Sequence, residues 1–296
     1  MSTVTSESLL EPEFLRKLER LAIGAKRVRL GHARGERKSN RKGSSVEFAD
    51  YRDYVQGDDL RHIDWNIFGR LDSLYLKLFQ EQEDLTVNLL VDASKSMQFG
   101  SPSKIAFARK AAAAIAYIGL VSNDRVSAEA FGDTTSRLAP CSGKASTRKL
   151  LHYFASIEAS GSTDLEAACR SHLIQNRARG VTVILSDFLD EAGFEGSLKR
   201  LSQTGSEVYV IHVLAPDEID PSVTGDLKLL DCETGSHTEI SVSPSLLKRY
   251  KKNVTGFTEA IRAYCLARGM SYVLAPSDTP FERLTLEMLR RSGLFT

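Results

Sequence analysis

The chain has 296 residues, 42% of them hydrophobic, enough for a sizeable core in one large or two modest domains. Its 39 lysines and arginines nearly balance 38 aspartates and glutamates, and a formal net charge of +1 argues against a globally basic nucleic-acid binder. The opening MSTVTSESLLEPEF lacks the basic and apolar regions of a secretory signal, the run from Ala111 to Val121 is too short to span a bilayer, and Cys141, Cys169, Cys232 and Cys265 form no CxxC pair, the pattern of reduced thiols.

From Pro12 to Ile23, Phe14, Leu15, Leu18, Leu21 and Ala22 recur at helical spacing and predict a short amphipathic helix. A basic arm follows, with Lys26, Arg27, Arg29, Arg34, Arg37, Lys38, Arg41 and Lys42 against Glu36. It reads either as a patch for phosphate or an acidic partner, or as a solvated arm. It has no interleaved aromatics for stacking on single-stranded nucleic acid.

Val46 to Gln82 alternates acids, aromatics and arginines around Trp65. Asp50, Asp53, Asp58, Asp59 and Asp64 are expected to pair with Arg52, Arg61 and Arg70 in a surface network rather than to bind a second metal. Leu74 to Phe79 alternates like a half-buried strand, and Glu81 to Asp84 is predicted to turn it into the next strand as a hairpin.

That next strand lies in LTVNLLVDASKSM, Leu85 to Met97. Thr86, Val87, Leu89, Leu90 and Val91 form a nearly continuous apolar run that stops at Asp92, the signature of a strand buried on both faces of a parallel sheet. Such sheets carry their binding loops at the carboxyl ends of strands, where Asp92, Ser94 and Ser96 supply hard oxygens suited to Mg2+ or Mn2+.

Downstream, a helix is predicted over Lys104 to Val121 with its start at Ser101-Pro102-Ser103. A strand follows at Arg125 to Phe131, expected to be less buried because apolar and polar residues alternate, and then a short strand at Ser136 to Ala139. Helices at Thr147 to Ile157 and Leu165 to Asn176 flank the loop Ser160 to Asp164. A second buried strand, Val181 to Leu185, again ends in a hydroxyl and an acid, Ser186 and Asp187. A helix at Phe194 to Gln203 and a strand at Val208 to Leu214 come next, then a hairpin within Leu227 to Val242 turning at Glu233-Thr234-Gly235-Ser236. A long helix from Ser245 to Ala267, a strand at Tyr272 to Leu274 and a helix at Phe281 to Arg291 close the chain. The alternation predicts an α/β fold of three layers: a mostly parallel central sheet flanked by helices, Rossmann-like, with an N-terminal extension and a small β-hairpin insertion. The expected divisions are 1–45, 46–82 and 83–296.

DASKS after a buried strand, GST at Gly161 to Thr163 and LSD at Leu185 to Asp187 resemble the metal-ion-dependent adhesion site of a von Willebrand factor A domain. The resemblance implies that Asp92, Ser94, Ser96, Thr163 and Asp187 hold Mg2+ (or Mn2+), with the hydroxyls meeting the ion directly or through water and the aspartates acting through waters. A partner's carboxylate would complete the octahedron. Enzyme motifs are missing: there is no GxxxxGK[ST] loop, no GxSxG elbow and no HExxH pair, and position 94 is Ser94 where a haloacid dehalogenase-type phosphotransferase has an acid. His212, in a strand pattern, reads as a core histidine.

The stretch DYRDYVQGDDLRHIDWNIFGR, Asp50 to Arg70, followed by LYLKLFQEQ, is similar to the bacterial family catalogued as domain of unknown function 58. Its core is Gly57, Asp58, Asp59, Arg61, Ile63, Asp64 and Trp65. Members of that family are often encoded beside MoxR-type AAA+ ATPases, so the resemblance implies a non-enzymatic adaptor or partner of such an ATPase, or of its client, binding an acidic ligand residue. Candidate partner contacts are Lys95 beside the metal residues and Arg61, Asp64 and Trp65 upstream. Longer relatives carry transmembrane segments that this sequence lacks, which places the expectation in the cytoplasm. The competing readings are a nucleic-acid or phosphate binder working through Lys26 to Lys42, and a metal-dependent hydrolase.

Overall fold

The computed structural model describes residues 9–24, 46–56, 58–81, 85–175, 180–231 and 235–295. The basic arm, Cys232 and Glu233-Thr234 lie outside them. The elements in chain order are α1 (Pro12–Leu18), β1 (Val46–Asp53), α2 (Trp65–Leu71), β2 (Tyr75–Glu81), β3 (Thr86–Asp92), α3 (Lys104–Val121), β4 (Arg125–Phe131) and β5 (Ser136–Cys141). Then come α4 (Thr147–Ala155), α5 (Leu165–Gln175), β6 (Gly180–Ser186), α6 (Glu195–Ser202), β7 (Glu207–Leu214) and α7 (Pro216–Ile219). The last are β8 (Gly225–Leu230), β9 (His237–Val242), α8 (Pro244–Ala267), β10 (Ser271–Pro276) and α9 (Phe281–Arg283), which runs into a π-helical turn at Leu284–Leu289. The chain divides into two compact units, Met1–Ala33 with Leu85–Thr296, and Arg34–Asp84.

In the smaller unit β1 and β2 pair antiparallel, with a register shift between Phe48 and Asp50. The Asp64 carboxylate caps α2 by accepting the N–H groups of Asn66 and Ile67. Two of the expected ion pairs form, Arg52–Asp58 at 3.0 Å and Arg61–Asp59 at 2.7 Å. The expected hairpin between β2 and β3 does not form: β2 pairs with β1, and both edges of β3 are taken by β4 and β6.

The larger unit is built on one six-stranded sheet of order β10-β7-β6-β3-β4-β5, parallel except for β5. α3 lies on one face with α1 and α4, and its Ala-rich sequence brings it close to Val87, Leu89, Val91, Val183 and Leu185. On the other face α5, α6 and α8 cover Leu90, Ile184 and Val210. The architecture is three-layered and mostly parallel, and β8 and β9 form the inserted hairpin. Leu18, Leu21 and Ile23 are buried in the α3 cluster, so the first helix belongs to this unit and not to a separate segment ending at residue 45.

β4 is more buried than its alternation predicts. Ser127 donates to Asn88 Oδ1 at 2.7 Å and Glu129 is paired by Arg137 of β5 at 3.2 Å, so both polar side chains are satisfied under cover instead of facing water. Cys169 and Cys265 are buried free thiols and Cys141 is a half-buried one. Among the described residues no helix is long and apolar enough to cross a membrane.

The strand order also locates a crevice. From β3 the chain builds outward through β4 to β5, then returns to the opposite side of β3 to lay down β6 and β7. The reversal falls between β3 and β6. In open α/β sheets the carboxyl ends of the two strands at such a switch are where ligands bind.

Candidate metal centre

Asp92 ends β3 and Asp187 directly follows β6, so the switch point carries one carboxylate from each side. Asp92 Oδ1 accepts the N–H of Ser94 at 2.9 Å, turning the chain off the strand, and Oδ2 accepts Ser186 Oγ at 2.6 Å. Ser186 Oγ in turn accepts the Phe188 N–H at 2.9 Å, and Asp187 Oδ1 accepts that of Leu189 at 3.1 Å. The hydroxyls of Ser94 and Ser96 lie 2.9 Å apart. Asp92, Ser94 and Asp187 are fully buried and Ser96 nearly so.

The loop carrying Thr163 is stitched to this turn by backbone hydrogen bonds. Lys95 N–H donates to the Gly161 carbonyl at 3.0 Å and Ser160 N–H to that of Ala93 at 2.7 Å. Two glycines permit the contact. A Cβ on Gly132 would stand 2.8 Å from the carbonyl oxygens of Ala93 and Ser160, and one on Gly161, where φ is 68°, would stand 2.2 Å from Asp133 Cβ. The helix cap of α5 is Asp164, whose Oδ1 accepts the Ala167 N–H at 2.8 Å; Thr163 stands one residue ahead of it.

The donors suit a hard divalent ion. Two oxygens at adjacent corners of an octahedron with bonds of 2.0–2.1 Å lie about 2.9 Å apart, and the Ser94 and Ser96 hydroxyls, hydrogen-bonded to each other at 2.9 Å, stand at that spacing. Among the described residues no group of three or more His, Cys, Asp or Glu side chains has metal-holding geometry, so this donor set is hydroxyl-rich with two carboxylates.

Sequence reasoning missed the strongest charge here. Lys104, the first residue of α3, is fully buried and donates to Asp187 Oδ2 at 2.7 Å and to Glu218 Oε1 of α7 at 2.6 Å. Burial would lower its pKa, but the carboxylates of Asp187 and Glu218 outweigh that and hold the ammonium above its ordinary value. A lysine opening a helix reads as solvent-facing, and its partners lie 83 and 114 residues away, so no local signal marks it. Ser186 was legible as a strand-end hydroxyl but not as the residue that fixes Asp92.

Burial, followed by the charge of Asp187, pushes Asp92 up to about 7, against the hydrogen bonds from Ser186 and Ser94. Between its ordinary 3.8 and 7 the folded state then holds a proton that the unfolded chain has lost. This contribution to stability falls as pH rises through that window and levels off above it. His172 and His212, both lowered to about 4 by burial, act in the opposite sense, so the effect is read as a difference between variants. In EDTA, the stability of wild type relative to Asp92→Asn is expected to drop between pH 4 and pH 7 in urea titrations; a constant or rising difference would refute it.

Of the other candidates, Lys95 is exposed beside the Ser94–Ser96 turn. Arg61, Asp64 and Trp65 lie in the smaller unit. Arg61 forks onto Asp59, Asp64 is buried as the α2 cap and accepts the Tyr51 hydroxyl at 3.1 Å, and Trp65 is 61% exposed with its ring edge-on to Phe68. His212 is a core residue whose Nδ1 pairs with the Tyr272 hydroxyl at 2.8 Å.

Comparison with known proteins gives relatives over most of the chain. The uncharacterized proteins Rv1480 of Mycobacterium tuberculosis and Mb1516 of Mycobacterium bovis are each 29% identical over 242 residues, 80% of this chain and 76% of theirs. Similar solved structures include the conserved hypothetical protein BatB from Bacteroides thetaiotaomicron, 15% identical with a TM-score of 0.43, covering 70% of this chain and 98% of that one. Another is proximal thread matrix protein 1 from the mussel byssus with a zinc-occupied MIDAS motif, 12% identical with a TM-score of 0.41, covering 71% and 46%. The model of the family described as "Protein of unknown function DUF58" matches residues 50–259, more than half of the sequence, and the chain belongs to that family.

Proposed function

We propose that the chain is a non-enzymatic protein-binding module that captures an acidic residue of its partner through Mg2+, or Mn2+ in its place. The observation that carries this reading is the convergence of Asp92, Ser94, Ser96 and Asp187, with the Thr163 loop hydrogen-bonded alongside, at the switch point of the sheet. Ser94, Ser96 and Thr163 would offer neutral hydroxyls to the ion, and Asp92 and Asp187, already engaged by neighbouring donors, would hold its waters. The ion supplies a strongly electrophilic coordination position for a carboxylate. Neutral ligands leave more of its charge available to that carboxylate than acidic ones would.

The partner class is a MoxR-type AAA+ ATPase or its client, in the cytoplasm, a reading supported by the family's resemblance pattern. Lys95 stands at the rim to meet the acidic surface, and Arg61 and Trp65, both exposed, provide a second contact from the smaller unit. The test is capture of a purified candidate ATPase on immobilised protein with Mg2+, with EDTA, and with Asp92→Ala. Capture is expected to fall at least about tenfold in both of the last two cases, as for loss of an ion-ligand orienter. Capture unaffected by either treatment would overturn the reading.

A further inference from the structure

The proposed metal site leaves one buried charge unexplained. Lys104 is the one Lys or Arg side chain buried among the described residues, and it sits against a candidate ligand of a cation. A compact ammonium with three donors is here spent on two carboxylates from different strand ends: Asp187 after β6 and Glu218 after β7. The surroundings fix it there. Glu218 Oε2 accepts the Ala215 N–H at 2.7 Å, the Glu218 carbonyl accepts the Tyr250 hydroxyl of α8 at 2.9 Å, and Lys104 N–H donates to the Phe99 carbonyl at 3.0 Å.

Charge arithmetic gives the arrangement a purpose. Once an ion has entered and Asp92 has released its proton, Asp92, Asp187 and Glu218 against Lys104 carry two negative charges, which a single divalent ion cancels. Without Lys104 the cluster would carry three and would bind the ion more tightly, but the loaded site would then be anionic and would repel an acidic partner. Each Asp187 oxygen also accepts one hydrogen bond, from Leu189 N–H and from Lys104 respectively, so the ion would compete with the ammonium for Oδ2.

Resting on the metal-site reading above, we propose that Lys104 is the built-in counter-ion of the centre: held between Asp187 and Glu218, it competes with the ion for Asp187 and weakens metal binding so that the loaded site is neutral toward a carboxylate ligand. It is a positioning residue and is not itself a ligand. The two members of its pair therefore tune metal affinity in opposite directions.

The test titrates Mn2+ and Mg2+ calorimetrically into the full chain as wild type, Lys104→Met, Glu218→Gln and the double variant. Lys104→Met is expected to bind about tenfold tighter or more, Glu218→Gln about tenfold weaker, and the double variant close to wild type, because a unit charge is removed from the low-dielectric surroundings in each single change. A merely structural role would weaken binding in both single variants. Added Mn2+ should also raise the melting temperature of Lys104→Met more than that of wild type. Wild type silent with Lys104→Met binding would likewise support the proposal. Wild type binding, with single variants that do not shift oppositely, would overturn it while leaving the metal site standing. No binding by either wild type or Lys104→Met would overturn the metal-site reading itself, and this proposal with it. Should Lys104→Met fail to fold, Lys104→Gln takes its place: tighter binding than wild type supports the proposal, and weaker or unchanged binding overturns it.

Discussion

Replacing Lys104 with methionine is expected to cost the metal-free protein about 3–5 kcal/mol of stability, the range for removing one partner of a buried ion pair. The change keeps side-chain volume, so the loss is electrostatic. Asp187, with no exposed side-chain surface, is left without its counter-charge, whereas Glu218 at 17% exposure can recover part of its hydration. Against a total of roughly 5–15 kcal/mol for a typical domain the variant remains folded but easily unfolded. Urea denaturation in EDTA measures it. Adding Glu218→Gln should return part of the loss, since only one carboxylate then lacks a partner. A loss below about 1 kcal/mol would place Lys104 among ordinary surface pairs. Lys17–Glu282, with side chains 49% and 57% exposed, is such a pair, and its removal should leave the unfolding midpoint nearly unchanged.

The second large effect is expected at Gly161. Alanine there takes on a left-handed conformation that costs roughly 1–2 kcal/mol for a residue with a Cβ. The new Cβ also meets Asp133 Cβ at 2.2 Å, its Cα at 2.7 Å and its N at 2.8 Å. Because two of those atoms are backbone, no side-chain rotation relieves the clash, and Asp133→Gly would not rescue the variant. The loop must move away from the Ser94–Ser96 turn, taking Thr163 with it. Gly161→Ala is expected to lose about 2–3 kcal/mol of stability. Metal affinity is expected to fall about tenfold or more, as for other loss of ligand support. Melting curves and Mn2+ titration of the same sample separate the two effects. Unchanged metal binding in a folded Gly161→Ala protein would remove Thr163 from the site.

The parts of this arrangement written in short stretches of sequence were the readable ones. The apolar runs that become β3 and β6 stop at Asp92 and just before Asp187, and a buried parallel strand of that kind announces both its own ends and the location of a crevice. Pairing choices were less readable. β2 alternates like a hairpin arm whichever strand it joins, and only the occupation of both β3 edges by β4 and β6 decides that it joins β1. Glu129 in β4 reads as solvent-facing because a single strand does not reveal that Arg137 on its antiparallel neighbour will cover it. Lys104 is the extreme case. Its burial depends on two carboxylates from other strand ends, so a residue that looks like a helix-opening surface charge becomes the buried counter-charge of Asp187 and Glu218.

The tight seating of α3 bears on where the molecule can yield. From Ala111 to Leu120 every residue of that helix is buried, and Gly119 leaves so little room that a Cβ would stand 2.8 Å from Val126. Such a helix cannot act as a piston: sliding it would force alanine-lined backbone through close-packed strands. The other end of the Lys104 ion pair lies in α7, a single turn with no buried residue. Through the Glu218 carbonyl and the Tyr250 hydroxyl that turn is coupled to α8, 24 residues long. The core helix thus serves as a fixed post for one end of the Lys104 pair, and its other end rests on a turn held by hydrogen bonds rather than by burial.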